Sequence, residues 1–145
     1  MAAWEDLLAF VRSEYRLVED GDVEDEEIEY RIIEDSDDEV RILVEYDDDR
    51  SQIVIIYHER LDGREDWVQV VSVCGRVADV DLRRLLEELG QTSVVCGAVI
   101  MGEHVVLRHS LPLLNLDINE FTDPLNFVAE TADHLEELFS REDDY

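Results

Sequence analysis

The sequence predicts an α+β domain: a mostly antiparallel sheet with three helices against one face, in the order α-β-β-β-β-α-β-β-α. Three observations predict it. Apolar residues recur at three- and four-residue spacing near both ends and in one middle segment. Elsewhere they alternate with polar residues in six runs. Short acidic or glycine-bearing turns join consecutive runs, which suits hairpins rather than crossovers. Strands grouped apart from helices mark the α+β class. At 145 residues the chain fits one domain, 1–145, large enough for a substantial core.

The first helix is expected over residues 3–18. Trp4, Leu7, Leu8, Val11, Tyr15 and Val18 form its stripe, widened by Phe10 and Leu17. An acidic stretch, 19–27, with Gly21 as a turn residue, leads to the strands. Ile28, Tyr30 and Ile32 share one side of the first strand, and Val40, Ile42, Val44 and Tyr46 repeat the pattern in the second. Ile53, Ile55 and Tyr57 mark the third. In the fourth, Val68, Val70 and Ser72 face one way and Trp67, Val71 and Val73 the other. The connecting patches 34–38, 47–49 and 61–63 are polar and short, so the four strands read as a meander.

Asp79 reads as the N-cap of the second helix, with Leu82, Leu85, Leu86 and Leu89 on one face and Gly90 closing it. A hairpin follows over 93–101 and 104–110. Gly102, at the first central position of its turn, suits a type II′ geometry. Asp123-Pro124 reads as cap and first residue of the closing helix, whose core face is Leu125, Val128, Ala132, Leu135 and Phe139. Residues 141–145 are expected to fray.

Charge is the most unusual property of the chain. It carries 39 Asp+Glu against 12 basic residues, all arginine, for a net charge of −27. A domain this small with that charge repels itself at ordinary ionic strength, where screening extends ~8 Å. Yet 46% of the residues are hydrophobic and regularly patterned, so wholesale disorder is not expected. The acid excess reads as the coat of a protein in a halophilic, salt-accumulating cytoplasm. The first residues lack the basic start of a signal peptide, and no apolar run is long enough to span a bilayer. Direct contact with nucleic acid or an anionic membrane would need basic stripes that are missing.

Little in the sequence points to catalysis. His104 and His109 lie an odd number apart on one strand and so point to opposite faces; no zinc spacing links them to His58 or His134. Cys74 and Cys96 stand alone as two small residues of a reducing compartment. Neither paired carboxylates such as Glu87-Glu88 and Glu136-Glu137 nor the Asp clusters at 35–38 and 47–49 show a catalytic or EF-hand pattern. No glycine-rich phosphate loop is present. The expectation is therefore no catalytic residue, no cofactor and no metal.

The acids are unevenly spread. Residues 19–49 hold 17 of the 39, whereas residues 90–116 hold only Glu103. The acid-poor hairpin is expected either mid-sheet or in a subunit interface. Trp67 either packs under a helix or exposes aromatic surface. Arg83 and Arg84 lie off the leucine face of the second helix, placed for local carboxylates or for a subunit contact. The candidate protein-binding residues are Trp67, Arg83, Arg84, Val95, Val99 and Met101.

The stretch Val105-Val-Leu-Arg-His-Ser-Leu-Pro-Leu, then Leu116-Asp117 and the helix containing Ala132-Asp133-His134-Leu135-Glu136, resembles the YbjN family. The order of elements over almost the whole chain is also similar to the type III secretion chaperone-like fold of that family. The chain departs in having four strands before the second helix, where secretion chaperones have three. The resemblance implies a homodimer that holds a segment of a partner protein. Composition and resemblance together lead to a non-enzymatic, chaperone-like or regulatory domain of a halophilic cytoplasm, binding itself and another protein. The alternative is an acidic decoy that mimics nucleic acid and occupies a basic DNA-binding protein through segment 19–49.

Overall fold

A continuous antiparallel meander organises the molecule. In the computed structural model, β1 (Ile28–Asp35), β2 (Glu39–Tyr46), β3 (Ser51–Leu61) and β4 (Glu65–Arg76) pair in sequence order. β5 (Gly97–Met101) and β6 (His104–Pro112) complete a six-stranded sheet ordered β1-β2-β3-β4-β6-β5. Three helices, α1 (Trp4–Arg16), α2 (Leu82–Thr92) and α3 (Ile118–Phe139), give the predicted element order and α+β class. The structure describes residues 3–16, 28–46, 49–93 and 95–139. Leu17, Val18, the acidic stretch 19–27, Asp47, Asp48, Val94 and the tail 141–145 lie outside the described residues.

The turns explain the tight pairing. Asp62 and Gly63 both take positive φ (53° and 64°), the primed geometry that matches strand twist, and Arg64 N–H donates to Leu61 C=O at 2.9 Å. Gly102 has φ 63°, as the expected type II′ turn requires at its first central position.

The core lies on one side of the sheet. Val40, Ile42 and Val44 of β2, Val54 and Ile56 of β3, Val68, Val70 and Cys74 of β4, and Val105 and Leu107 of β6 meet the apolar stripes of the helices. α3 supplies Phe121, Leu125, Val128, Ala132 and Leu135 to this core; α1 supplies Trp4, Leu7, Val11 and Tyr15. Trp4 is fixed further by its indole N–H to Asp37 C=O (2.6 Å) and by stacking on His58 at 5.2 Å.

Several sequence expectations need correction. In β3 the core phase is Gln52, Val54 and Ile56, so Ile53, Ile55 and Tyr57 point to the opposite side. Both phases are apolar, and periodicity alone does not choose between them. α2 is capped by Asp81, whose carboxylate accepts from Arg84 N–H at 3.2 Å; Asp79 instead belongs to a turn closed on Arg76 C=O. The helix also passes Gly90 and ends at Thr92, and Leu86 is exposed. α3 starts before Asp123-Pro124. Asp117 backbone N–H is bonded by the Glu120 carboxylate (3.3 Å), one arm of a capping box, and the helix runs through Pro124. The strand expected from residue 93 starts only at Gly97.

Candidate protein-binding surfaces

Helices cover only one face of the sheet among the described residues, and the alternation of each strand decides what the other face presents. Across it, Arg41, Ile55, Val71, Arg108 and Gly97 form one cross-strand row. Beside that row Leu43 pairs with Ile53, Val73 with Val106, and Val106 with Val99. On its other side Tyr57 pairs with Gln69 and Gln69 with Ser110, and beyond them Trp67 lies between Glu59 and Pro112. Val71 and Val106 are each only 4% exposed, yet neither belongs to the helix-side core. Leu43, Ile53, Ile55, Tyr57, Trp67, Val73 and Val99 of this face are half-buried, and Pro112 and Met101 at its margins are exposed. A strand apolar on both phases is the pattern of a sheet buried on both sides.

The same alternation puts Glu29, Arg31, Glu39, Arg41, Glu45, Glu59, Glu65 and Arg108 on this face. Arg41 pairs with Glu34 and Glu39 at 3.3 and 3.1 Å. Arg108 is exposed and makes no ion pair among the described residues, whereas Arg12, Arg31, Arg50, Arg76 and Arg83 each hold a carboxylate of their own chain. Burial pushes the Tyr57 hydroxyl pKa up, as do Glu59 and Glu39, against the lowering effect of Arg108.

The sheet has two unlike edges. β1 carries Glu29, Arg31, Glu34 and Asp35 and a register irregularity between Ile32 and Glu34. Charges and bulges of this kind block strand addition. β5, Gly97-Ala-Val-Ile-Met101, carries no charge and no irregularity, and pairs with β6 alone among the described strands. Ile100 and Met101 are 57% and 42% exposed, and Leu86 of the neighbouring α2 is 53% exposed. The acid-poor 90–116 segment thus divides: β6 is mid-sheet, and β5 is the open edge.

A third surface is an open groove of about 360 Å³ between α3 and β6, floored by Val95, Leu111, Pro124 and Phe127 and rimmed by Glu120 and Asp123. The candidate residues therefore do not converge on one site. Trp67 lies on the helix-free face rather than under a helix, with its indole N–H on Glu65 (3.2 Å). Val99 and Met101 lie on β5, Val95 lines the groove, and Arg83 and Arg84 are exposed on α2. Arg83 holds Glu87 across one helical turn at 3.1 Å; the Arg84 guanidinium has no ion pair among the described residues. Ile55, Val71, Val106 and Arg108 were not singled out by their spacing. The signal was present in the runs Ile53–Tyr57 and Trp67–Val73, where both strand phases are apolar.

Among the described residues no three His, Cys, Asp or Glu side chains come close enough together to hold a metal ion. His104 and His109 occupy opposite faces, the former paired with Met101 and the latter beside Phe127 in the groove. Burial pushes the Cys74 thiol up to about 12, well above an ordinary thiol. Cys96, expected in a strand, precedes β5 and is half-buried against Ser93 Oγ (3.3 Å), with its thiol also raised by burial. Neither has the lowered pKa of a reactive nucleophile. No helix among the described residues is long and apolar enough to cross a membrane. No protein-family model matches the sequence, and no curated protein does either.

Proposed function

We propose that this chain is a non-enzymatic protein-binding domain that acts as a homodimer in a halophilic cytoplasm, with β5 as the dimer edge. The carrying observation is the contrast between the two edges: β1 carries charges and a register break, and β5 carries neither. Antiparallel pairing of β5 with its copy is two-fold symmetric and would join two sheets into one. It would also cover Ile100 and Met101, and α2 would bring Leu86 and Arg84 to the same border. The likeness of the C-terminal stretch to YbjN proteins, and the homodimers common in that fold, support the same reading.

A charge argument favours this edge over any other. Two molecules of charge −27 approach with least repulsion where carboxylates are missing, and between residues 90 and 116 only Glu103 is acidic. Its carboxylate is held by Arg76 at 3.3 Å. The decoy reading gains less from the geometry. Arg31–Glu45, Arg41–Glu39 and Arg12–Asp35 pairs already engage described acids of the 19–49 segment.

Light scattering in molar KCl tests the dimer. The expected mass is twice 16.9 kDa, and Ile100→Glu, at an exposed position, should return the chain to a folded monomer. A wild-type monomer at all salt concentrations, or an Ile100→Glu protein that remains dimeric, rejects the β5 assignment.

A further inference from the structure

We propose that two copies of the chain pair through β5 in a single register, in which Val99 lies opposite Val99 of the other copy. This rests on reading β5 as the dimer edge and states how that edge is used.

The hairpin decides which backbone groups β5 offers. Met101 and His104 flank a two-residue turn and pair directly, so they exchange the hydrogen bonds that close the hairpin. Bonded pairs alternate along an antiparallel ladder, so Val99 with Val106 and Gly97 with Arg108 also turn their N–H and C=O groups toward each other. The groups of Ala98 and Ile100 therefore point the other way, to the open edge. A two-fold antiparallel pairing meets them all in one way only. Centred on Val99, it sets Ala98 of each copy against Ile100 of the other and satisfies every outward group of both strands. Centred on Ala98 or on Ile100, it joins that residue to its copy and leaves the other residue opposite backbone outside β5.

Side-chain length selects the same register. Along β5 the side chains lengthen at every step, from Gly97 through Ala98, Val99 and Ile100 to Met101. Pairing about Val99 sets Gly97 against Met101 and Ala98 against Ile100, short against long on both faces, with Val99 against itself in the middle. Gly97 carries a further mark. Its φ is not positive, and a Cβ there would meet no described atom within 4 Å, so its own chain has no use for glycine at this position. Glycine inside a strand weakens it and marks the close approach of other groups. Met101 of a second copy is the group that fills this space. Ile100 and Met101, 57% and 42% exposed in the single chain, then lie against the two smallest residues of the opposing strand.

Disulfide capture of the full chain in about 2 M KCl reads the register. Directly opposed residues of a non-bonded pair lie ~4.5 Å apart at Cα, within disulfide reach, whereas residues displaced by two positions lie about 7–8 Å apart, past the range a disulfide spans. In a Cys96→Ser background, with Cys74 buried, Val99→Cys, Ala98→Cys and Ile100→Cys are each oxidised with diamide and run on non-reducing gels. Val99→Cys should form a covalent dimer about tenfold faster than the other two. Faster capture through Ala98→Cys or Ile100→Cys would overturn the register. So would no capture through Val99→Cys in a protein that light scattering shows to be dimeric. Side-chain length is tested by dissociation constants. Gly97→Met, which the single chain has room for, should weaken the dimer about tenfold, and the exchange Gly97→Met with Met101→Gly should recover most of that loss. An exchange no better than the single change would also reject the register. A wild-type monomer at every salt concentration rejects the β5 edge and the register together, whereas a dimer split by Ile100→Glu but captured away from Val99 sinks the register alone.

Discussion

Buried polar side chains are few here, and each is held by a specific neighbour. Gln52 donates through Nε2 to Ser72 Oγ (2.8 Å) and to Val73 C=O, and Ser72 Oγ donates to Ile53 C=O (2.7 Å). Arg50 reaches from the start of β3 to Asp133 and Glu136 of α3 at 3.0 and 3.4 Å, so the fully buried Glu136 carboxylate has a counter-charge. Cys74 lies beside this cluster, and the cause of its raised pKa is burial first and the Glu136 charge second. The sign of the resulting pH dependence is determined. The folded thiol keeps its proton up to about 12, whereas the unfolded thiol loses it near 9, so the folded state binds more protons between these values. Stability should be complete below pH 9 and fall above it, by about 1.4 kcal/mol per pH unit at the steepest. Tyr15, also raised by burial, adds to the loss at higher pH. Urea unfolding of the wild type and of Cys74→Ala between pH 8 and about 11 isolates the thiol: the variant should show a shallower alkaline slope. Equal slopes would mean the thiol ionises without unfolding.

At the level of elements, caps and turns decide the boundaries that periodicity left loose. The Asp117-Ile-Asn-Glu120 sequence is a capping box, and the Glu120 carboxylate satisfies the Asp117 N–H ahead of α3. Glu120→Ala should cost about 1 kcal/mol of unfolding free energy. Glu130→Ala, exposed in the middle of the same helix, should be within about 0.5 kcal/mol of wild type. Chemical denaturation of the two variants measures the difference, and equal midpoints would remove the cap from the account. The box was legible in the sequence; Asp123-Pro124 was the more conspicuous signal, because proline favours the first turn. Strand existence and order of elements were legible because alternation and turn chemistry agree at every hairpin. The phase of β3 was not. Val54 and Ile56 face the helices and Ile53 and Ile55 face away, and a run apolar at every position carries no periodicity to separate them. The same ambiguity hid the helix-free face, while the missing acids around Val99 and Met101 set apart a segment whose strand lies at the sheet edge. What no local pattern could give was that β6 inserts between β4 and β5, leaving β5 as the edge.

For the whole molecule, the question is how an ordinary core tolerates a net charge of −27. Local pairing neutralises only part of it. Arg12 grips Asp35 with its charge state favoured by that hydrogen bond; Arg31, Arg76 and Arg83 hold single carboxylates and Arg41 holds two near the surface, where each pair contributes little. The remaining carboxylates repel one another through water, and that repulsion is relieved by unfolding. Raising salt from 0.1 M to 1 M shortens its range from about 10 to about 3 Å. Hydrophobic burial of the Val- and Leu-rich core does not weaken over the same change. Stability should therefore climb with KCl, the thermal midpoint rising on the order of 10 °C between about 0.1 and 2 M. Sucrose at matched osmolality should produce a smaller rise, since it does not screen. If β5 pairs with its copy as proposed, two such charges come together and a second salt-dependent step is added, so the dissociation constant should fall over the same range and the midpoint become concentration-dependent. Calorimetry across salt and protein concentration separates the two effects. A midpoint that is flat in KCl would show that the carboxylates are already neutralised in the folded chain. The acid-poor edge at β5 would then carry no electrostatic argument for pairing with a second copy.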